Sequence, residues 1–354
     1  MARLSKFIIV CLFVVFIVGC SSKSSNNQPV NNNIDKGKAE TAIIESSTFN
    51  NASYIRSYTS KGQAVKETKI NCVDVNSGFL SPVKVGNKIY TNSIGGYSNR
   101  SKKVVEFDIS SNKYNTYDIA EGIFSVAANE NYIYTTNSPP KGSIITKYDM
   151  AKKSKEKTLN VQGLVQHIIL NGNKLYTFAD SDERDGTLII SVINADDLST
   201  EKSIRLKSDQ SVFDSVIYKD DIYFSHMISS DGNSPSYVVS KFNMKDYTVS
   251  DIKLKEGCPD HLKVYNGNLY ISHYNPMQNT GNKLTVLNLT TGEQKLLSFK
   301  HNLMQIEVQD NKLYACDDKN MHVYKVDSNF KEINSFKIMD DRKDYRIDGF
   351  FLMN

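Results

Sequence analysis

Short apolar segments separated by turn residues recur in a fixed order from about residue 41 to the end of the chain. Each unit has an apolar segment such as SPVKV, a short turn, a segment built around a tyrosine such as NKIYTN, a third apolar segment and a charged fourth. Runs of β-branched and aromatic residues bounded by turn residues predict strands joined by hairpins. Sustained helical periodicity is absent after residue 40, so the pattern predicts an all-β fold.

The tyrosine of the second segment returns at the period of a four-stranded propeller blade. It stands at Tyr90, Tyr134, Tyr176, Tyr223, Tyr270 and Tyr314, with successive spacings of 44, 42, 47, 47 and 44 residues. Repeats of about 40 to 50 residues with four strands each are typical of β-propellers. The six units therefore predict six complete blades.

The two ends of the folded region predict a seventh blade. Residues 41–70 contain three strand-like segments that lack a first one, and the C-terminal YRIDGFFLMN has the pattern of a first strand with nothing after it. Joined, they complete a blade and leave no free sheet edge between the first and last units. We predict one seven-bladed β-propeller domain over residues 41–354, closed by a C-terminal strand that joins the N-terminal blade. Six or eight blades are the alternatives if a terminal blade is incomplete.

The first forty residues have a different character. MARLSKFIIVCLFVVFIVGC has a basic start and a short apolar core, which is typical of a secretory signal peptide. Its end, Ile17-Val18-Gly19-Cys20, resembles the lipobox of bacterial lipoproteins. The resemblance implies that residues 1–19 are removed and that Cys20 is diacylated, for example with palmitate. Residues 20–40 are rich in Ser, Asn and Lys and predict a disordered tether. The alternatives are an ordinary secreted protein and an anchor that is never cleaved.

Composition and charge exclude some functions. Twenty Tyr, sixteen Phe and no Trp accompany a formal net charge of +4, with basic and acidic residues interspersed. The chain lacks the clustered basic patch expected of a nucleic-acid partner, so we expect none and place the protein on the extracytoplasmic face of the cell membrane, held by its lipid. Cys72, Cys258 and Cys316 have no motif spacing, and a single Cys72–Cys258 disulfide remains an alternative to free thiols.

The repeat resembles a known superfamily. The NKxY turn and strand, the Asp or Asn at the end of the third strand and the 42 to 47 residue spacing are similar to bacterial YVTN-type and quinoprotein-like propellers, which include lipoproteins. The resemblance implies a propeller that serves as a binding platform, an assembly factor or, in a few members, an enzyme. Without any Trp the chain departs from the Trp-docking motif of quinoprotein dehydrogenases, so a bound quinone is not implied.

A polar position precedes each repeated tyrosine by nine residues, where the innermost strand of each blade begins. We call this set the polar ring, and with the equivalent C-terminal position it comprises Ser81, Ser125, His167, Asp214, His261, Gln305 and Asp348. In a propeller the start of the innermost strand borders the central channel. The register predicts a ring of polar side chains around one channel mouth, available to bind a ligand.

A second register, three residues after each tyrosine, adds His226 and His273 on the same face. Its members are Ser93, Asn137, Ala179, His226, His273 and Asp317. Long loops follow it at residues 227–236 and 274–283, and an acidic loop lies at residues 180–186. Long loops confined to one face commonly carry function, so this face is the predicted binding face.

Three interpretations of the ring remain open. It is a solvated channel mouth without a tight ligand, a surface that binds a protein, envelope polymer or small ligand, or a metal site. The metal ligands would be His167, Asp214 and His261, with His226 or His273 as a further candidate and Cys258 as another. Imidazole and carboxylate suit zinc or a similar ion. We expect a non-catalytic, lipid-anchored binding protein without a cofactor. The alternative is a metal-dependent lyase or hydrolase that holds one divalent ion in this ring.

Three groups of residues are predicted to have structural rather than functional roles. The repeated tyrosines are expected to pack between blades. Asp108, Asp149 and Asp327, at the ends of third strands, are expected to cap the following turns. His301 and His322 fall outside both registers and are expected on the surface.

Overall fold

The computed structural model of the protein describes residues 37–77, 80–95, 100–183, 185–339 and 342–354. The lipidation site predicted at Cys20, the signal peptide and most of the predicted tether lie outside these ranges. The described part of the chain contains no helix that is long and apolar enough to cross a membrane.

In the described part of the chain, twenty-eight strands form seven sheets, which we number as blades and describe from the innermost strand outward. Blade 1 contains β28 (Arg346–Leu352), β1 (Ala39–Ser46), β2 (Ser53–Thr59) and β3 (Ala64–Ile70). Blade 2 contains β4 (Val83–Val85), β5 (Lys88–Gly95), β6 (Arg100–Asp108) and β7 (Lys113–Asp118). Blade 3 contains β8 (Ile123–Ala128), β9 (Tyr132–Asn137), β10 (Ser143–Asp149) and β11 (Ser154–Val161). Blade 4 contains β12 (Leu164–Asn171), β13 (Lys174–Asp180), β14 (Thr187–Asn194) and β15 (Thr200–Lys207).

The remaining three blades repeat the same order. Blade 5 contains β16 (Gln210–Tyr218), β17 (Asp221–Ile228), β18 (Val238–Asn243) and β19 (Val249–Lys253). Blade 6 contains β20 (Pro259–Tyr265), β21 (Asn268–Asn275), β22 (Thr280–Asn288) and β23 (Gln294–Ser298). Blade 7 contains β24 (Gln305–Gln309), β25 (Lys312–Cys316), β26 (Asn320–Lys325) and β27 (Glu332–Lys337). The prediction of seven four-stranded blades is confirmed.

Closure of the ring by the C-terminal strand is also confirmed. β28 pairs antiparallel with β1, with Thr41 opposite Leu352 and Ile43 opposite Phe350. Every sheet is antiparallel and follows chain order, apart from this one added strand in blade 1. Because β28 occupies the innermost position of blade 1, the first and last strands of the chain belong to one sheet.

The hydrophobic core is divided among the interfaces between neighbouring blades. A buried apolar cluster joins each successive pair around the ring, including blade 7 with blade 1. Each repeated tyrosine packs in the interface with the following blade, as predicted. Tyr134 of blade 3, for example, lies in the cluster shared with blade 4 and donates a hydrogen bond to Ala195 O at 3.0 Å. This burial of large apolar surface holds the blades in place.

The outer hairpins and the cysteines also bear on the sequence predictions. Asp108 and Asp149 accept hydrogen bonds from the backbone amides of Ser111 and Lys152, each at 2.8 Å, and Asp327 caps its turn in the same way. The three turn caps are therefore confirmed.

Cys72, Cys258 and Cys316 are free thiols in the structure, so the alternative of a Cys72–Cys258 bridge is not realised.

Candidate functional site

The polar ring lies at the beginning of the innermost strands, on the face of the propeller that we call the mouth face. Five of its members stand within β8, β12, β16, β20 and β28, Gln305 begins β24, and Ser81 lies two residues before β4. In blades 3 to 6 a bulge interrupts the pairing of the innermost and second strands at this point. A β-bulge changes the direction in which nearby side chains point. In these blades the side chain of the ring member therefore points differently from one on a regular strand.

Several ring side chains bind the backbone of the next blade. Ser125 Oγ accepts the Ile168 amide at 3.3 Å, and Asp214 Oδ2 accepts the Leu262 amide at 2.9 Å. Gln305 accepts the Phe350 amide at 2.8 Å and donates to the Phe350 carbonyl at 2.9 Å. These bonds satisfy buried backbone groups at the bulges, so the ring has a structural role whether or not a ligand binds there.

A hydrogen bond crosses the channel just below the mouth. Ser81 of blade 2 donates to Asp214 Oδ2 of blade 5 at 3.2 Å, and these blades are as far apart around the ring as two of seven can be. Lys263 Nζ reaches Ser81 Oγ at 3.2 Å and Glu307 Oε1 at 2.9 Å. A cavity of about 280 Å³ follows the innermost strands of blades 2 to 6 at this level. The channel is thus obstructed by bonded polar side chains.

Neighbouring groups of opposite charge determine the protonation states of Lys263 and Asp214. Burial would disfavour the ammonium group, but Glu307 and Asp214 outweigh it and raise the pKa of Lys263. Burial would likewise disfavour the carboxylate of Asp214, yet Lys263 and His261 outweigh that effect and lower its pKa. The two groups are therefore a lysine ammonium and a carboxylate that stabilise each other.

The two ring histidines have different surroundings. His261 is fully buried, and its Nδ1 lies 2.7 Å from Asp260 Oδ2, with the Phe213 ring edge-on at 5.3 Å. Burial lowers the pKa of His261 but Asp260 and Asp214 reverse the shift, so the net pKa is raised. His167 is half-buried, and burial lowers its pKa against the opposing charge of Asp214.

The predicted metal ligands of the ring do not come together as one compact group. Among the residues that the structure describes, one group of three His, Cys, Asp or Glu side chains has ligand atoms that all lie within 4.8 Å of one another, and it is in blade 7. His167, Asp214 and His261 do not form such a group. Asp348, the seventh member, accepts hydrogen bonds from Ser46 and, at 2.8 Å, from Arg346 Nε. Burial raises the pKa of Asp348 to about 7 despite Arg346.

The two histidines of the second register are buried inside their blades. His226 is 0% exposed, and its Nε2 lies 2.8 Å from Ser240 Oγ. His273 is 2% exposed, and its two ring nitrogens bond Gly257 O at 2.9 Å and Thr285 Oγ1 at 2.8 Å. Burial lowers the pKa of each to about 4. Their predicted contact with a ligand stays a prediction, and their present contacts hold strands two and three together.

An apolar rim around the mouth was missed in the sequence. We give this name to Leu80, Phe124, Phe213, Met227 and Pro276, which together with Gln166, Ser211 and Val212 line a cavity of about 260 Å³. Phe124 is 39% exposed, and Met277 beside Pro276 is 91% exposed. Three rim residues, Leu80, Phe124 and Phe213, stand one position before a member of the polar ring, while Met227 lies near the end of β17 and Pro276 in the β21–β22 connection. That connection spans only residues 276–279, so the long loop predicted at residues 274–283 is wrong. Reading the register one residue earlier would have found the first three, because five of those seven positions are apolar.

His301 and His322 are not simply surface residues as expected. Both are half-buried, and their rings stack at a centroid distance of 3.5 Å and an interplanar angle of 4°. His322 Nε2 lies 3.2 Å from Asp317 Oδ2, in the second register. The repeat pattern signals only Asp317 of this cluster, because His301 lies in a connection between blades and His322 on a third strand.

Comparisons with known proteins establish the class but not a family. No protein-family model matches the sequence, and no curated protein matches it, so the YVTN-type and quinoprotein-like resemblance stays a prediction. A protein from Desulfotomaculum acetoxidans, described as functionally unknown, superposes with a TM-score of 0.61 at 11% identity, covering 88% of this chain and 99% of that one.

Two further solved structures share the architecture. BamB from Moraxella catarrhalis superposes with a TM-score of 0.51 at 9% identity, covering 75% of this chain and 78% of that one. Hydrazine synthase from Kuenenia stuttgartiensis gives 0.55 at 13% identity, with 72% and 78% covered. Identities this low show the fold alone. The chain is a seven-bladed β-propeller, a class that includes at least one enzyme among these similar structures.

Proposed function

We propose that this protein is an extracytoplasmic lipoprotein, anchored to the cell membrane through Cys20, that binds a partner protein with the mouth face of its propeller. The lipobox resemblance at residues 17–20 and the polar sequence after it support the anchor and the location. The apolar rim carries the binding proposal.

The chemistry of the rim suits a protein better than a sugar polymer or a small polar ligand. Clustered, partly exposed aromatic and methionine side chains are enriched at protein interfaces and uncommon on other protein surfaces. Met227, near the end of β17, and Pro276, in the β21–β22 connection, line the same cavity as Leu80, Phe124 and Phe213, so these ends and the strand starts form one surface. An apolar side chain of a partner can enter the 260 Å³ cavity. Polar loop residues around the cavity can form hydrogen bonds with the same partner.

The obstruction below the rim supports binding at the mouth rather than deep in the channel. Ser81, Asp214 and Lys263 are already bonded to one another across the axis. A ligand that entered the channel would have to break these bonds and separate Lys263 from Glu307. A partner seated on the rim leaves them intact.

The enzymatic alternative has less support from the geometry. His261 of the ring and its neighbour Asp260, which could act as an acid–base pair, are both buried, and the Phe213 ring packs edge-on against the imidazole. A general acid or base must reach a substrate atom at hydrogen-bonding distance, which this burial prevents without rearrangement. We therefore favour binding over a lyase or hydrolase reaction at this mouth.

Photo-crosslinking in living cells tests the proposal. A photoreactive amino acid replaces Phe124 in the full-length lipoprotein, and a matched one replaces Ile333, a 51% exposed apolar residue on the outermost strand of blade 7. We expect a discrete crosslinked protein from position 124 that is absent from position 333. The double substitution Phe124→Ser with Met277→Ser should weaken binding of that protein, whereas Ile333→Ser should not. Equal products from both positions, or none from 124, would refute the assignment of the rim.

A further inference from the structure

We infer that His301, Asp317 and His322 of the mouth face form a binding site for a first-row divalent transition-metal ion, with zinc as its representative. The inference is independent of partner binding at the rim, because the two sites share no residue. It also differs from the ring site predicted in the sequence, which uses other histidines.

The fold brings these residues together from three different elements. His301 lies in the connection that leads from blade 6 into blade 7, Asp317 follows the end of β25, and His322 lies on β26 opposite Ala315. One ligand atom from each residue lies within 4.8 Å of the other two. Two imidazoles and a carboxylate are the donor set of many zinc sites that keep a fourth position open.

Both histidine rings are oriented as metal-binding histidines are. His322 Nδ1 lies 2.9 Å from Glu332 Oε1, and His301 Nδ1 lies 2.7 Å from the carbonyl of Asn302. A backbone carbonyl only accepts hydrogen bonds, and Glu332 accepts when it is ionised, so each Nδ1 is the donor. Nε2 of His301 is then the nitrogen that can offer a lone pair. Nε2 of His322 donates to the Asp317 carboxylate in the ion-free protein, and an ion would take the place of that proton. Ligating histidines characteristically donate their other ring N–H to a carboxylate or a carbonyl in this way.

The carboxylate is also held in position. Asp317 Oδ1 accepts the backbone amides of Lys319 at 2.8 Å and Asn320 at 2.6 Å. These bonds fix the group while its other oxygen, Oδ2, lies 3.2 Å from His322 Nε2. The oxygen nearest the imidazole is thus the one available to an ion.

The site opens to a cleft that provides room for a fourth ligand. Its cavity of about 540 Å³ is lined by His301, Asp317, Asp318 and Lys300, with Thr280, Gly281, Asn282 and Asn302. The Asp318 carboxylate adds negative charge and the Lys300 ammonium opposes it. Water or a small anion can occupy the open coordination position from this cleft.

The stacked arrangement implies a local movement on binding. An imidazole nitrogen coordinates an ion in the plane of its ring, and the two rings are parallel at 3.5 Å. At least one ring must therefore turn out of the stack to place both nitrogens about 2.0–2.1 Å from one ion. If His301 turns, its Nε2 leaves the Tyr324 hydroxyl, which lies 2.6 Å away. Loss of the stack is a signature that binding elsewhere would not produce.

Calorimetric titration with zinc tests the site. The full-length protein is purified without affinity metal, stripped with a chelator and titrated with zinc chloride, and histidine ring signals are followed by NMR. We expect one ion per chain and shifted ring signals of His301 and His322. His322→Gln should remove binding, and Glu332→Gln should weaken it about 10- to 100-fold, because Glu332 only orients the ligand.

His167→Asn, which alters the channel, is the matched variant and should bind zinc as the unmodified protein does. Binding lost in His167→Asn but kept in His322→Gln would overturn the proposal by placing the ion in the ring. Absence of binding at millimolar zinc would overturn it as well. Should His322→Gln fail to fold, Glu332→Gln together with the NMR shifts decides the question, since unchanged affinity and unchanged ring signals would both contradict the site.

Discussion

His273 should make the propeller sensitive to acid, and the size of the effect follows from its environment. In the neutral ring, Nδ1 donates to Gly257 O and Nε2 accepts from the Thr285 hydroxyl, so both nitrogens are satisfied without a charge. Burial is the main cause of the fall in its pKa from 6.5 to about 4. The group is 2% exposed, so solvent does little to screen this shift.

The sign of the effect follows from the two states. The unfolded chain binds a proton at His273 when the pH falls through about 6.5, but the folded chain resists it until about pH 4. Stability is therefore present above pH 6.5 and is lost as the pH falls through this window. One pKa unit corresponds to about 1.4 kcal/mol, so the loss is about 3 kcal/mol in full and about 2 kcal/mol at pH 5.

The assay must isolate one histidine among several. His226 shifts in the same direction, whereas the pKa values of His261 and His322 are raised and act in the opposite direction. We therefore compare denaturant unfolding of the unmodified protein and His273→Asn at pH 7.5 and pH 5. The variant should be less stable at pH 7.5 but should lose about 2 kcal/mol less between the two values.

Thr285→Val provides the control for a non-titrating change in the same pocket. It removes the hydroxyl that His273 accepts from and adds no titratable group, so it should lower stability while keeping most of the acid-dependent loss. If the unmodified protein and His273→Asn lose the same free energy of unfolding between pH 7.5 and pH 5, the assigned pKa and the reasoning from burial are both wrong.

Three further perturbations address the anchor, the blade interfaces and the ring. Cys20→Ser should move the protein from the membrane fraction to the soluble fraction on cell fractionation; continued membrane association would contradict lipidation at this residue. Tyr134→Phe removes the bond to Ala195 O and should lower the free energy of unfolding by about 1 kcal/mol, so an unchanged denaturation midpoint would count against that bond. Asp214→Ala leaves the buried Leu262 amide unsatisfied and should cost about 1–3 kcal/mol, with Asp214→Asn costing less; equal costs would mean that the acceptor is not what matters.

The fold could be predicted from the sequence because each repeat contains a large aromatic residue at the same position. Each repeated tyrosine fills the interface with the next blade, so its 42 to 47 residue spacing reports the blade period directly. The closing strand was predictable for a similar reason, since β28 carries the apolar pattern of an innermost strand. Both signals depend on packing that every blade repeats.

The candidate sites were less predictable because they depend on neighbours outside the repeat. The register placed His226 and His273 on the mouth face, but their burial comes from third-strand partners such as Ser240 and Thr285. Bulges direct the ring side chains toward the next blade, and sequence periodicity does not show them. His301 meets His322 through the path of one connection, which no spacing rule specifies.

The closing strand β28 also determines when the ring can be completed during folding. β28 completes blade 1, yet it is synthesised after every other strand of the ring, so β1 waits with an unpaired inner edge until residues 346–352 are available. The contact between the two ends is the most distant pairing in the chain, and pairings of this kind are slow because the intervening loop must be closed. A chain interrupted before β28 would keep an exposed edge that invites association with other strands. The whole ring must therefore be available before the propeller can become a stable protein.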